Sequence, residues 1–380
     1  MDRSKTKYLN YSDFVDSDHQ LCYICLKRNF PTYKQCNKIK NINCFICKGI
    51  FSKINEIVST MFEMIHFQEN YSYRSFTIGT AFPYSMLDIE DSIRSHYKLK
   101  GLEDIKSSFN FRIRNKFKSR SKKKLNTINP DITINLHIYD NTNYSIKVLS
   151  RSLYLLGRYT KKRFMAQREK KVLNYNNNNN YSNNNNHNNS IISKNQTIQT
   201  IIQKTLSERI RSDRMIFSWY GSEDDNSQVL GKGRLFLVHL INPRERTIKM
   251  NEVFTRNGIS FKIIEKKNFI ENVKRNFRIK NKIFIKTSNP INKSQVMNLM
   301  KLNNSIIKYW YKSKIFHKKI YRIGFKKLDA YHLIINVECD SGLFLRQFIE
   351  GQKFINPNIS LALHNQCECL KFDIMDISFS

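Results

Sequence analysis

Carboxylates are scarce in this chain: of 380 residues, 31 are acidic against 65 lysines and arginines, a formal charge of +34. A surplus of that size repels itself in a compact state and is tolerated best beside a polyanion. Codon bias in an AT-rich genome, which favours Lys, Asn and Ile, would raise the charge in the same direction, so charge alone only favours nucleic acid. Also missing is any apolar run near the roughly 20 residues that cross a bilayer. The opening MDRSKTKYLNYSD lacks the apolar core of a signal peptide. No phosphate-binding loop or nucleotide fingerprint is present. These absences lead us to expect a soluble protein of the nucleus and/or cytoplasm, without membrane partner or organic cofactor, in a compartment where thiols stay reduced.

What is present is a core-forming composition: 40% hydrophobic residues, with 26 Phe and 19 Tyr, enough for two or three domains. Eight cysteines in a reducing compartment point to metal rather than disulfides. Cys22-x-x-Cys25 and Cys44-x-x-Cys47 are two knuckles at a separation suited to one tetrahedral zinc. Four thiolates leave no open position for a substrate, so the expected role is structural. Cys36 is surplus, and Cys339, Cys367 and Cys369 fall in strand-like contexts as packing residues.

Ile132 to Ile138 alternates strictly, as a half-buried strand should, behind the turn Asn129-Pro130-Asp131. Tyr144 to Leu156 reads as one further strand. A basic run holding Arg112, Arg114 and Lys116 is equally compatible with phosphate contact and with a solvated loop. Asn176 to Asn189 is nearly pure asparagine and is expected to be a disordered insertion. Ile198 to Ile210 carries a helical apolar stripe behind Thr197 as cap. Strands over Leu235–Ile241, Ile283–Thr287, Tyr331–Cys339 and Glu368–Ile377, with helices over Lys293–Leu302 and Leu343–Ile349, predict an α+β domain with a largely antiparallel sheet.

Residues 221 to 238 read GSEDDNSQVLGKGRLFLV, with Glu223, Asp224 and Asp225 clustered in an acid-poor chain. Local composition leaves them open between ion-pair partners and catalytic groups. Gly231 and Gly233 could let backbone approach a ligand, though G-x-G alone is weak.

This segment resembles the nucleophile motif of the archaeal and eukaryotic tRNA pseudouridine-54/55 synthases, G-R-E-D-x-D-x-R-x-L-G-x-G-R-P-F, without a gap. Gly157-Arg158-Tyr159, Gln167, Asn129-Pro130-Asp131, Ile78-Gly79-Thr80 and Asn242-Pro243-Arg244 are similar to further family motifs in the family's order. So are Tyr311 to Phe316, Ser341 to Gly351, Asn356 to Ser360 and the double CxxC. The resemblance implies Asp224 as catalytic carboxylate, Tyr311 stacked on an extruded uracil and Arg346 as the cation beside Asp224. It implies RNA contacts at Arg158, Tyr159 and Arg234, alongside Arg112, Arg114 and Lys116 from the basic run.

The domains expected are a zinc module at 1–66 bound by Cys22, Cys25, Cys44 and Cys47, a THUMP-like α/β domain at 67–170, an insertion at 171–196 and a pseudouridine synthase domain at 197–380. The expected partner is tRNA, bound by a monomer and modified in the T-arm. Ser222 stands where the family carries arginine, and Asn226 and Gln228 replace an acid and a base. Two alternatives stay open: a family member that binds tRNA without chemistry, and a zinc-containing RNA-binding module that never was an enzyme.

Overall fold

The alternation over Ile132–Ile138 does form a strand, with inward residues buried at every second position. It belongs to the first of two units, Met1–Ser152 with Ile241–Thr247; the second comprises Leu153–Leu240 and Ile248–Ser380. The computed structural model describes residues 20–30, 44–98, 103–168, 196–221, 223, 227–268, 277–352 and 354–379. Cys36, the Asn tract, Ser222, Asp224, Asp225 and Asn226 lie outside the described residues.

The first unit has helices α1 (Tyr23–Asn29), α2 (Ile54–Glu63), α3 (Tyr84–His96) and α4 (Ile105–Ser121). Its strands are β1 (Ser75–Ala81), β2 (Lys124–Leu125), β3 (Ile132–Ile138) and β4 (Tyr144–Ser150), in sheet order β2-β1-β3-β4. β1 runs parallel to β2 and β3, which demands a long crossover; α3 and α4 lie on it. The basic run expected as a loop or phosphate contact is therefore on α4. Ile105, Phe109, Ile113 and Phe117, each four residues from the next, bury one stripe, while Asp104 caps the N-terminus by accepting from Ser107 N at 2.6 Å. The cysteine knuckles do not form a separate module as expected for 1–66. Cys25, Cys44 and Cys47 share one core with Ile57, Phe76 and Phe109.

The second unit carries β5 (Leu153–Lys161), β6 (Arg214–Trp219), β7 (Val229–Ile241), β8 (Val253–Arg256), β9 (Ile259–Lys267), β10 (Phe277–Thr287), β11 (Ile306–Tyr311), β12 (Lys314–Lys327), β13 (His332–Asp340), β14 (Ile355–Asn356) and β15 (Cys367–Phe379). They join in one sheet ordered β14-β11-β12-β13-β10-β15-β7-β5-β9-β8, with β6 on β7. Strand pairs along it are antiparallel, save β15 with β7, which is parallel. Helix α5 (Ile198–Ser207) starts at a capping box of Thr197 and Thr200 and buries Ile198, Ile201, Ile202 and Leu206. Helices α6 (Lys293–Met297), α7 (Leu345–Glu350) and α8 (Ile359–Leu363) pack with the β10–β13 portion of the sheet. The class is α+β, as the sequence implies.

One boundary differs from expectation. Tyr144 to Leu156 is not a single strand: it breaks at Arg151–Ser152, and β5 pairs with β7 and β9 in the second unit. Gly157-Arg158-Tyr159 thus lies in the first strand of the second unit's sheet rather than closing the accessory domain. Conversely, Asn242 and Arg244 serve the first unit. Asn242 Oδ1 accepts from Tyr71 Oη at 3.0 Å and Ser150 N at 2.7 Å, and Arg244 pairs with Glu69 at 2.7 Å. No helix among the described residues is long and apolar enough to cross a membrane.

Candidate functional site

The segment preceding Asp224 is held by buried charge. In β5, alternation places Tyr159 and Lys161 on one face, and Tyr159 lies opposite Arg234 of β7. Between Tyr159↔Arg234 and Lys161↔Val229 the register slips, so that Thr160 faces four residues, Leu230 to Gly233. This excursion of β7 explains the two glycines. Gly231 has φ +56° and a Cβ there would lie 2.5 Å from Met375 O; Gly233 has φ +80° and a Cβ would lie 2.5 Å from Tyr159 O. The G-x-G lets backbone approach its neighbouring strands, not a ligand.

Within the cage so formed, Glu223 meets Lys161 Nζ at 2.9 Å and Arg234 at 3.2 Å, all three side chains 0% exposed. Tyr159 Oη donates to Glu223 at 2.8 Å and accepts from Gln167 Nε2 at 3.0 Å. Burial, and then the Glu223 charge, pushes the Tyr159 phenol well above its ordinary range, so it stays protonated and donating. Lys161 also donates to Met165 O and Arg234 to Tyr220 O, both at 2.9 Å. Two cations around one carboxylate leave positive charge in a water-poor site. Sequence reasoning passes over Lys161 and does not distinguish Glu223 from its two acidic neighbours. A lysine on the buried face of an otherwise apolar strand, in a chain with few carboxylates, is the signal that could have found the pair.

The RNA contacts expected at Tyr159 and Arg234 are corrected by this geometry. Both are interior, at 1% and 0% exposure, and engaged by Glu223. Arg158, half-buried, donates to Gly233 O and Asp376 at 3.0 Å and to Ile377 O at 2.6 Å, tying β5 to the β7–β15 seam. It also lines a cleft of 530 Å³ with Lys232, Ser260 and Lys262. On α4, Arg112 and Lys116 are exposed, while Arg114 is committed to Ile78 O by two hydrogen bonds of 2.9 and 2.7 Å.

Tyr311 ends β11 at a two-residue hairpin turn, Lys312-Ser313, where both residues have positive φ, 47° and 60°. Its half-exposed ring sits 5.2 Å from that of Phe344, the residue capping α7. Arg346 follows two residues later and donates to Cys369 O at 2.9 Å. Tyr309 secures this corner by donating to Gly342 O at 2.8 Å. Tyr311 and Arg346 therefore stand on adjoining elements, joined through Phe344.

In the first unit, the Sγ atoms of Cys22, Cys25, Cys44 and Cys47 all lie within 4.8 Å of one another, with Cys22 and Cys47 at 3.7 Å. Metal–sulfur bonds of about 2.3 Å in a tetrahedron require sulfur pairs about 3.8 Å apart, so the cluster fits such an ion. Cys22 caps α1, receiving Cys25 N at 3.5 Å, and Arg28 donates to Cys25 Sγ at 3.4 Å while pairing with the buried Glu90. The Arg28 hydrogen bond orients the Cys25 sulfur within the cluster.

Comparison with known proteins bears on both units. The family "Pus10, C-terminal" matches residues 154–378, and "Pus10 THUMP domain, archaeal" matches 62–137. The tRNA pseudouridine synthase Pus10 of Nitrosopumilus maritimus is 28% identical over 387 residues, covering 98% of each chain. That of Picrophilus torridus is 23% identical, covering 88% of this chain and 85% of its own. That of Methanocaldococcus jannaschii is 24% identical, covering 90% and 76%. Among solved structures, a Cbf5-Nop10-Gar1 complex overlaps 46% of this chain and 42% of its own with TM-score 0.29 and 10% identity, too distant to inform the fold. The first match alone spans more than half of the chain, and the chain belongs to the Pus10 family.

Proposed function

We propose that this protein is a tRNA pseudouridine synthase acting in the T-arm, at position 54, 55 or both, with Asp224 as its catalytic carboxylate. The observation that carries this reading is the family match over 154–378, which takes in the segment anchored by Glu223. The reaction is an isomerisation. The N1–C1′ bond of uridine breaks, the uracil turns, a C5–C1′ bond forms, and C5 loses the proton that N1 gains. It balances without a co-reactant. The target uridine leaves its stack to enter the site. Asp224 acts at the sugar as nucleophile or base, Tyr311 stacks on the extruded uracil, and Arg346 keeps Asp224 ionised. Asp224 directly follows the caged Glu223 in sequence, and that adjacency supports the reading.

The test is pseudouridine mapping of an unmodified tRNA transcript incubated with wild-type and Asp224→Ala protein. The variant is expected to form no pseudouridine while binding tRNA as the wild type does; undiminished pseudouridine in the variant would overturn the assignment. Ser222, standing where the family has arginine, favours a second reading in which tRNA is bound without chemistry. A single turnover product from the wild type eliminates that reading.

The four-cysteine cluster is proposed to hold zinc in a closed structural site that staples the start of the first unit. One zinc per chain by elemental analysis is expected, falling toward zero in Cys44→Ser.

A further inference from the structure

The β11–β12 hairpin presents two unlike faces. Toward the core it buries Ile307 and Tyr309, with Tyr309 stacked on Phe316 at 5.3 Å. Its outward face pairs Ile306 with Lys319, Lys308 with His317 and Trp310 with Ile315 across the strands. All six are exposed; Trp310 is 60% exposed, Ile306 55% and Ile315 50%. Side chains directly opposite on one face stand about 4.5–5.5 Å apart at Cβ, so these make one continuous strip with an indole near the hairpin tip. Residues 306 to 319 include five lysines and no carboxylate. Asp340 reaches the hairpin but is engaged by Lys319 N at 2.8 Å and Tyr321 Oη at 2.9 Å.

An exposed apolar strip on a folded chain marks an interaction surface. Here its charge decides the partner. A protein interface core is depleted of lysine, whereas lysines flanking a flat aromatic are what a nucleotide requires, a base for the ring and a phosphate for the cation. Alternation along β11 puts Trp310 on the face opposite Tyr311. One strand thus carries two exposed aromatic rings on opposite faces.

We infer that the outward face of the β11–β12 hairpin is a second RNA-binding surface, on which Trp310 stacks an unpaired base and Lys308 and Lys319 meet adjoining phosphates. This rests on the RNA substrate proposed above, and the test separates the two. Full-length wild type, Trp310→Ala, Trp310→Phe and Lys308→Ala/Lys319→Ala are titrated with an unmodified tRNA transcript, and pseudouridine formation is measured in parallel. Stacking on an aromatic implies a loss of roughly 5- to 150-fold in affinity for Trp310→Ala, with Trp310→Phe retaining most of it. The double lysine variant is expected to lower the slope of log affinity against log salt by about 0.7 for each phosphate it no longer engages. Tryptophan fluorescence of the wild type should be quenched by RNA, and Trp310→Phe should lose that response. At saturating RNA the turnover of Trp310→Ala stays at the wild-type value and only KM rises. Unchanged affinity in Trp310→Ala overturns the inference, as does concentration-dependent self-association that Trp310→Ala abolishes while RNA binding stays intact. If the wild type forms no pseudouridine yet Trp310 still reports RNA, the catalytic reading fails and this surface stands.

Discussion

At the scale of single residues, Glu223 is a side chain whose replacement carries a large structural cost. Two cations, Lys161 and Arg234, face it with no exposure to water. Removing one member of a buried ionic cluster strands the rest, at a cost of about 3–5 kcal/mol. Glu223→Ala is expected to lose stability in that range in urea unfolding of the full chain. A change under about 0.5 kcal/mol, typical of an ordinary surface substitution, would show that water reaches the cage. The role was illegible because Glu223, Asp224 and Asp225 look alike in sequence, and motif register singles out Asp224 without saying what its neighbour does. Tyr159 and Arg234 misled for a related reason. A basic or aromatic residue in a basic chain reads as RNA-facing until a carboxylate from elsewhere in the chain is placed beside it.

At the scale of elements, the β7 excursion gives a contrast within one sheet. Gly233→Ala forces a left-handed backbone and a 2.5 Å contact with Tyr159 O, whereas a Cβ at Gly324 of β12 meets nothing within 4 Å. The first is expected to cost at least about 1–2 kcal/mol from backbone alone, and the second to be neutral or mildly stabilising. Equal melting temperatures for the two variants would contradict the register described. Elements with a clean period were readable: β3 by alternation, α5 by its apolar stripe and capping threonine. Helix α4 was not, because its buried residues form a stripe one residue wide amid Arg and Lys. The break between β4 and β5 was hidden because both flanking segments are apolar, and only pairing assigns them to different sheets.

At the scale of the molecule, a charge of +34 makes RNA binding an ionic-strength measurement. Counterion release implies that log affinity falls linearly with log salt, by roughly 0.7–0.9 for each phosphate engaged. A flat dependence between low and physiological salt would rule out the polyanion reading of the charge. Removal of the proposed zinc acts more locally. Chelation, or Cys25→Ser, is expected to raise amide exchange over 44–65, whose core the cysteines share, with the second unit's β10 and β13 still protected. Loss of protection across both units together would place the cysteines at the foundation of the entire fold.

The return of Ile241–Thr247 to the first unit has a consequence for how such a protein can change over evolutionary time. A gene fragment ending before residue 241 would encode an accessory unit without the acceptor for Tyr71 and Ser150 and without the partner of Glu69. A fragment beginning at 153 would carry that heptapeptide with nothing to receive it. A cut anywhere between residues 152 and 241 therefore parts the first unit from a segment of its own packing.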